Sequence, residues 1–245
     1  MRPILPALAA VLALSLAGCA VAPPAPLPTG SIATGPGAPP QPVVNRVTPE
    51  TVRADFAAVA ARVEPVAEAL CRERAARGTD CDFTIALLDD PRLPPNAFQT
   101  VDRRGRPLVG FTRALIVQTR NRDEVAFVLG HETAHHIEGH LARARQSALA
   151  GSVLAGTLAQ MSGADERGVR EASEFGRALG ARRYSRDFEL EADALGTVIT
   201  ARAGFDPLRG AAFFNRLPDP GDRFLGTHPP NAERIAVVRR VAAGL

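Results

Sequence analysis

The sequence has no lysine, no tryptophan and a single tyrosine, Tyr184, and aromatic residues make up only 5% of its 245 positions. Every one of the 29 basic side chains is therefore an arginine; they face 26 acids, for a formal net charge of +3. The arginines are scattered and form no stripe interleaved with aromatics. Base-stacking platforms and basic grooves are thereby excluded, and with them nucleic-acid binding. Cysteine is scarce, at three residues, too few for a disulfide-built scaffold. Past the N-terminus no uncharged run is long enough to read as a membrane span, which excludes a polytopic membrane protein. What remains is 46% apolar and 22% charged, a composition able to bury a core.

The N-terminal residues 1–20 read MRPILPALAAVLALSLAGCA. One arginine, an apolar stretch of secretory length and then small residues describe a signal peptide, too short for a span. Leu16, Ala17, Gly18 and Cys19 resemble a bacterial lipobox. That resemblance implies cleavage after residue 18 and lipidation of Cys19, and Ala20 in place of an aspartate favours the outer membrane. Residues 19–47, rich in Pro and Gly, read as an extended tether without a core. In an exported protein Cys71 and Cys81 form an even pair, expected to be disulfide-bonded, with two buried free thiols as the alternative.

From Thr48 onward the pattern is that of one folded domain, 48–245. Thr48-Pro49-Glu50 predicts a helix start and a helix to about Ala76, with Pro65 as a kink or break. CDFTIALLDD predicts a strand, and AFQTV and RPLVGF two more about a DRRG turn. Adjacent Asp89 and Asp90 stand before prolines and read as turn chemistry. A short helix is expected over 112–119. Asn121 followed by Glu124 forms a capping box, and the helix it opens is expected to run to about Arg143 and Arg145. The uncharged stretch 147–161 reads as a packed helix.

Within the capped helix stands His131-Glu132-Thr133-Ala134-His135. On an α-helix the two histidines are about 40° apart on one face and one turn apart in height, so both imidazoles can bind one Zn²⁺. Glu132 lies about 100° round from His131, close to the ion but off the ligand axis, where a carboxylate can take a proton from water. The pattern arises by chance in roughly half a percent of chains of this composition. Val125, Phe127, Val128, Leu129, Ile137 and Leu141 surround the axis, which marks a buried helix. Extended three-histidine motifs need a glycine and a histidine where Glu138 and Leu141 stand. His136 and His140 therefore read as structural or supporting, His140 falling about 180° from His131 on a continuous helix. The third ligand is sought in SRDFELEADALG. Glu189 and Asp193 share a helical face, so Glu189 can ligate while Asp193 accepts a hydrogen bond from a ligand imidazole. Glu191, about 200° away from Glu189, is the competitor.

Together GHETAHH, ELEAD and the later THPP resemble metallopeptidase family 48, which includes HtpX-like heat-shock proteases, CAAX prenyl proteases and BepA-like and LoiP-like lipoproteins. The likeness runs from about Thr48 to the C-terminus. It implies a gluzincin-like α+β zincin, mostly helical with a small sheet beside the zinc helix. It also implies one Zn²⁺ per chain held by His131, His135 and Glu189, with Glu132 as base. Asn96, Ala97 and Phe98 resemble the family's motif at the substrate-binding edge, a strand start being the alternative. His228, in GTHPPNAER, is implied as a reversible fourth ligand or oxyanion contact; Tyr184 and Arg186 are further oxyanion candidates. The helical-repeat domain of larger relatives is not expected after this loop. The expected function is a zinc metalloendopeptidase on the periplasmic side of the outer membrane, anchored by lipid on Cys19. Its expected partners are unfolded or misassembled envelope proteins. The alternative is a latent zinc-binding assembly factor for outer-membrane proteins.

Overall fold

The computed structural model describes residues 48–183, 185–217 and 230–245. Cys19, the leader, the tether, Tyr184 and His228 lie outside the described residues. The first helix, α1 (Pro49–Arg74), opens as its sequence predicts. The Thr51 N–H donates to the Thr48 hydroxyl, and the Thr48 N–H donates back to that of Thr51. Val52, Phe56, Val59, Val63, Ala67 and Leu70 recur every three to four residues and are all buried, the stripe an amphipathic helix lays on a core. Pro65 does not end the helix. It sits on the exposed side, as does Ala61, so the carbonyl it leaves without a helical donor can take water.

A disulfide joins Cys71, in the last turn of α1, to Cys81, their Cα atoms 5.7 Å apart. It brings in the strand β1 (Thr84–Leu88), followed by β2 (Ala97–Val101) and β3 (Pro107–Thr112). The order is β1-β3-β2, with β1 parallel to β3 and β2 antiparallel to it. The turn between β2 and β3 is closed by the Asp102 carboxylate, which accepts from the N–H groups of Arg104 and Arg106. β3 is the buried centre, Val109 and Phe111 being fully inaccessible. Thr112 caps the short helix α2 (Arg113–Gln118).

The buried helix α3 (Arg122–Ile137) packs against α1, the sheet and two later helices, α6 (Ser185–Arg202) and α7 (Pro207–Ala211). Asn121 accepts from the Glu124 N–H, while the Glu124 carboxylate reaches back to the N–H of Arg120. Glu124 and Asp123 are buried acids at the positive end of the helix dipole, paired with Arg216 and Arg209. The helix ends six residues earlier than Arg143. Gly139 adopts φ 67°, a left-handed conformation that suits glycine, and turns the chain into a new helix, α4 (His140–Met161).

α4 pairs with α5 (Glu166–Arg183) as a hairpin whose helices nearly touch. A Cβ on Gly176 would lie 2.2 Å from the Gly151 carbonyl oxygen, and one on Gly180 2.1 Å from that of Ser147. The packing expected of 147–161 therefore exists on one side only; Leu149, Val153, Leu154, Leu158 and Met161 are exposed. No described helix is long and apolar enough to cross a membrane. A 3₁₀ turn (Ala212–Arg216) follows α7, and α8 (Asn231–Ala242) closes the chain against α6. The whole is mostly helical, with a three-stranded sheet beside α3.

Because the disulfide closes a short loop between α1 and β1, replacing Cys71 and Cys81 by alanine is expected to lower stability by about 2–3 kcal/mol. The urea midpoint of the double variant against the oxidised parent checks this.

Candidate metal centre

α3 and α6 come into backbone contact beside the first histidine of the motif. A Cβ on Gly196 would sit 2.9 Å from the His131 backbone nitrogen, and one on Gly130 2.9 Å from the Gly196 carbonyl oxygen. Thr200 fills in beside them, its hydroxyl donating to the Gly196 carbonyl. This approach carries the first turns of α6 against the imidazoles of α3.

The Nε2 atoms of His131 and His135 stand 3.0 Å apart. Glu189 Oε2 is 3.5 Å from the first and its Oε1 is 3.4 Å from the second. Groups bound tetrahedrally to zinc at roughly 2.0–2.2 Å lie about 3.3–3.6 Å from one another. The three donors therefore fit one ion with small adjustment. Their chemistry fits too, as two imidazoles and one carboxylate are the ligand set of a catalytic zinc with an open fourth position.

The surroundings favour a cation in the same place. Asp193, fully buried, accepts from His131 Nδ1 at 2.9 Å, which leaves the Nε2 lone pair for a metal. Arg234 of α8 grips Asp193 with two bonds of 2.7 Å and lies with its guanidinium carbon 3.8 Å from the Phe214 ring centre. Burial works against the Asp193 carboxylate, yet Arg234 and His131 outweigh it and hold its pKa below the ordinary range. Burial likewise opposes charging of His131, but Asp193 and Glu189 prevail and lift its pKa to about 10. The carboxylates that favour a positive charge on His131 favour a metal cation at the same place.

The second imidazole is held differently. His135 Nδ1 is 2.8 Å from His140 Nδ1, and His140 Nε2 is 2.9 Å from Glu191 Oε2. Burial pushes His140 down to about 4, overriding Glu191, so this imidazole is neutral at pH 7. Arg143 donates to Glu191 at 2.6 Å. Glu189 thus faces His131 and His135 while Glu191 faces α4. His136 turns away, its Nε2 2.7 Å from the Asp80 carbonyl and its Nδ1 3.3 Å from the Gln99 amide nitrogen.

Glu132, His135, His140 and Glu189 share the wall of an open cavity of about 270 Å³ with Gln99 of β2 and Ala181 of α5. The cavity meets β2 at Gln99, the residue after the segment 96–98 expected to take substrate. Asn96 exchanges hydrogen bonds with Thr112 and pins the strand start. Ala97 packs on the core, and Phe98 covers Gly110. Arg186 is exposed and paired with Glu233. Asp89 pairs with Arg53 and Arg113, and Asp90 with Arg92, as turn residues do. Arg234, Gly130 and Gly196 belong to the centre without being evident as site residues in the sequence. Nothing marks one arginine in a chain whose only cations are arginines, whereas two glycines inside helices signal close approach.

Gly196→Ala forces the helices apart at backbone atoms, so a stability loss of about 1–3 kcal/mol with weaker zinc binding is expected, read by urea unfolding and chelator competition. Arg234→Met leaves Asp193 charged and buried beside a single imidazole. It is expected to cost about 3–5 kcal/mol, seen as a lower urea midpoint in the metal-free protein.

The sequence is similar to those of known proteins. The sequence profile of Peptidase family M48 matches residues 56–242. A Vibrio cholerae protein, provisionally named a beta-barrel assembly-enhancing protease, is 33% identical over 178 residues, covering 64% of this chain and 37% of that protein. The mitochondrial metalloendopeptidase OMA1 of Saccharomyces cerevisiae is 31% identical over 163 residues, 62% of this chain and 45% of its own. The beta-barrel assembly-enhancing protease of Escherichia coli is 28% identical over 144 residues, 53% of this chain and 29% of its own. This chain thus spans less than half the length of each of these relatives. The profile match takes in well over half of the chain and runs through α3, α6 and α8, the three helices that build the centre: the chain belongs to Peptidase family M48, a family of zincin-like metallopeptidases.

Proposed function

We propose that this protein is a zinc-dependent endopeptidase of the bacterial cell envelope that degrades misfolded or misassembled envelope proteins. The observation that carries the reading is the convergence of His131, His135 and Glu189 on one point, with Glu132 in the wall of the same cavity. Zinc, one per chain, would be held by those three side chains and would supply a Lewis acid and a water of pKa near 7.

The chain's own groups do the rest. Glu132 takes the proton of the attacking water and returns it to the leaving amine, one carboxylate serving as base and then acid. Asp193 and Arg234 keep His131 in the tautomer a metal needs. β2 pairs with β3 on one side and lies at the sheet edge among the described strands. An extended peptide can add to such an edge through main-chain hydrogen bonds, a mode that reads conformation more than sequence and suits unfolded substrates. Arg186, paired with Glu233, is not among the side chains lining the cavity.

The envelope assignment rests on the leader-like residues 1–18, the lipobox likeness at Cys19 and the tether composition of 19–47. The names of the Vibrio and Escherichia relatives, which refer to β-barrel assembly, support it. On this reading lipid on Cys19 anchors the domain to the outer membrane, with the tether holding it off the surface.

Glu132→Gln is expected to keep stoichiometric zinc while casein cleavage falls by about 10²–10⁴-fold, measured by elemental analysis and a digestion assay with and without chelator. Parental cleavage by that variant would overturn the assignment of the base. A parent that holds zinc without cleaving casein would instead favour the latent assembly factor.

A further inference from the structure

We propose that His140 is a positioning residue for the metal: it accepts the Nδ1 hydrogen of His135, is itself fixed by Glu191, and so presents the Nε2 lone pair of His135 to the ion. The inference rests on the zinc-site reading above and extends it to a histidine outside the His-Glu-x-x-His motif.

The proton arrangement follows atom by atom. The Glu191 carboxylate can only accept, and its Oε2 stands 2.9 Å from His140 Nε2, so that nitrogen carries the hydrogen. A neutral imidazole has one donor and one acceptor, which makes His140 Nδ1 the acceptor. Its neighbour at 2.8 Å is His135 Nδ1, which must then donate. The remaining lone pair of His135 lies on Nε2, the atom 3.0 Å from His131 Nε2 and 3.4 Å from Glu189. The opposite tautomer would aim a hydrogen at the place where the three donors meet.

The relay is also built to hold still. His140 is buried and stacks on Phe188, with ring centres 4.4 Å apart and planes inclined by 11°. Arg143, one turn further along α4, donates to Glu191 at 2.6 Å and lies over the same Phe188 ring. An imidazole between His135 and the acid has an electrostatic advantage over a direct carboxylate. Glu132, Glu189 and Asp193 already crowd the centre with negative charge. Through His140 the hydrogen-bonding preference of Glu191 reaches His135, while its charge stays beside Arg143.

The test uses the full chain with zinc alone as probe. Affinity is measured by competition with a chelator, and a cobalt-substituted sample gives the absorption spectrum of the site. His140→Leu fills similar space without an acceptor and is expected to bind zinc about 10–100-fold more weakly, with an altered cobalt spectrum. His140→Asn places a side-chain oxygen near the Nδ1 position and is expected to restore most of the affinity and the parental spectrum. A folded His140→Leu with parental affinity and spectrum would overturn the proposal. If that variant does not fold, Glu191→Ala, at a part-exposed position, carries the test, and unchanged affinity there overturns it equally. A parent that binds no stoichiometric zinc sinks both this inference and the metallopeptidase reading. A parent that binds zinc but cleaves nothing sinks only the peptidase reading, because the affinity comparison needs no activity.

Discussion

Inside a core of valines, leucines and phenylalanines, α6 sets two carboxylates one turn apart, Glu189 and Asp193, both buried. Each costs several kcal/mol to remove from water, and one guanidinium, Arg234, stands near both, at 2.7 Å from Asp193 and 3.5 Å from Glu189. One positive charge against two negative ones leaves a deficit in a medium where charge cannot be ignored. The imidazoles of α3 are the groups able to accept what is missing, and they answer in one of two ways. A proton settles on His131, or a metal ion settles between His131, His135 and Glu189. The two occupants compete for the same charge deficit, so the energetic demand of the core and the chemistry of the centre are one constraint.

Much of that constraint was legible in the sequence because it is written within single helices. His131 and His135 share a face by helical spacing, as do Glu189 and Asp193, and the three-dimensional structure keeps both pairings. The buried character of α3 could be read from its apolar surround, and the start of α1 from Thr48 and Pro49. Local hydrogen-bonding rules decide such features before any tertiary contact forms, and they survived folding unchanged.

What could not be read depends on where a helix stops or on which distant segment returns. His140 was read as structural or supporting, but its contact with His135 stayed hidden because the helix was expected to continue to about Arg143, which would put it about 180° from His131. The left-handed turn at Gly139 starts a new helix instead and swings His140 round to His135. One backbone conformation thus converts a residue out of reach into the partner of a ligand. Arg234 was hidden for another reason: it lies 41 residues beyond Asp193, on a helix that also carries Arg239 and Arg240, and nothing local separates a buried arginine from exposed ones. Pro65 shows the reverse case, a residue read as a kink or break within a helix that runs on past it at an exposed position.

The five residues Glu189 to Asp193 reach every part of the centre. Glu189 faces both imidazoles, Asp193 holds the back of His131, and Glu191, pointing elsewhere on the same helix, reaches α4 and through His140 the back of His135. A single short stretch of α6 therefore addresses the centre from three directions, and it can do so only in one axial position against α3. A slip of one residue would rotate every carboxylate by about 100° and lose all three contacts at once. The backbone contact of Gly196 with Gly130 and His131, two turns further along, sets that position: it lets the helices meet with no side chain between them, so the placement of the carboxylates is decided where the chain has nothing to give way.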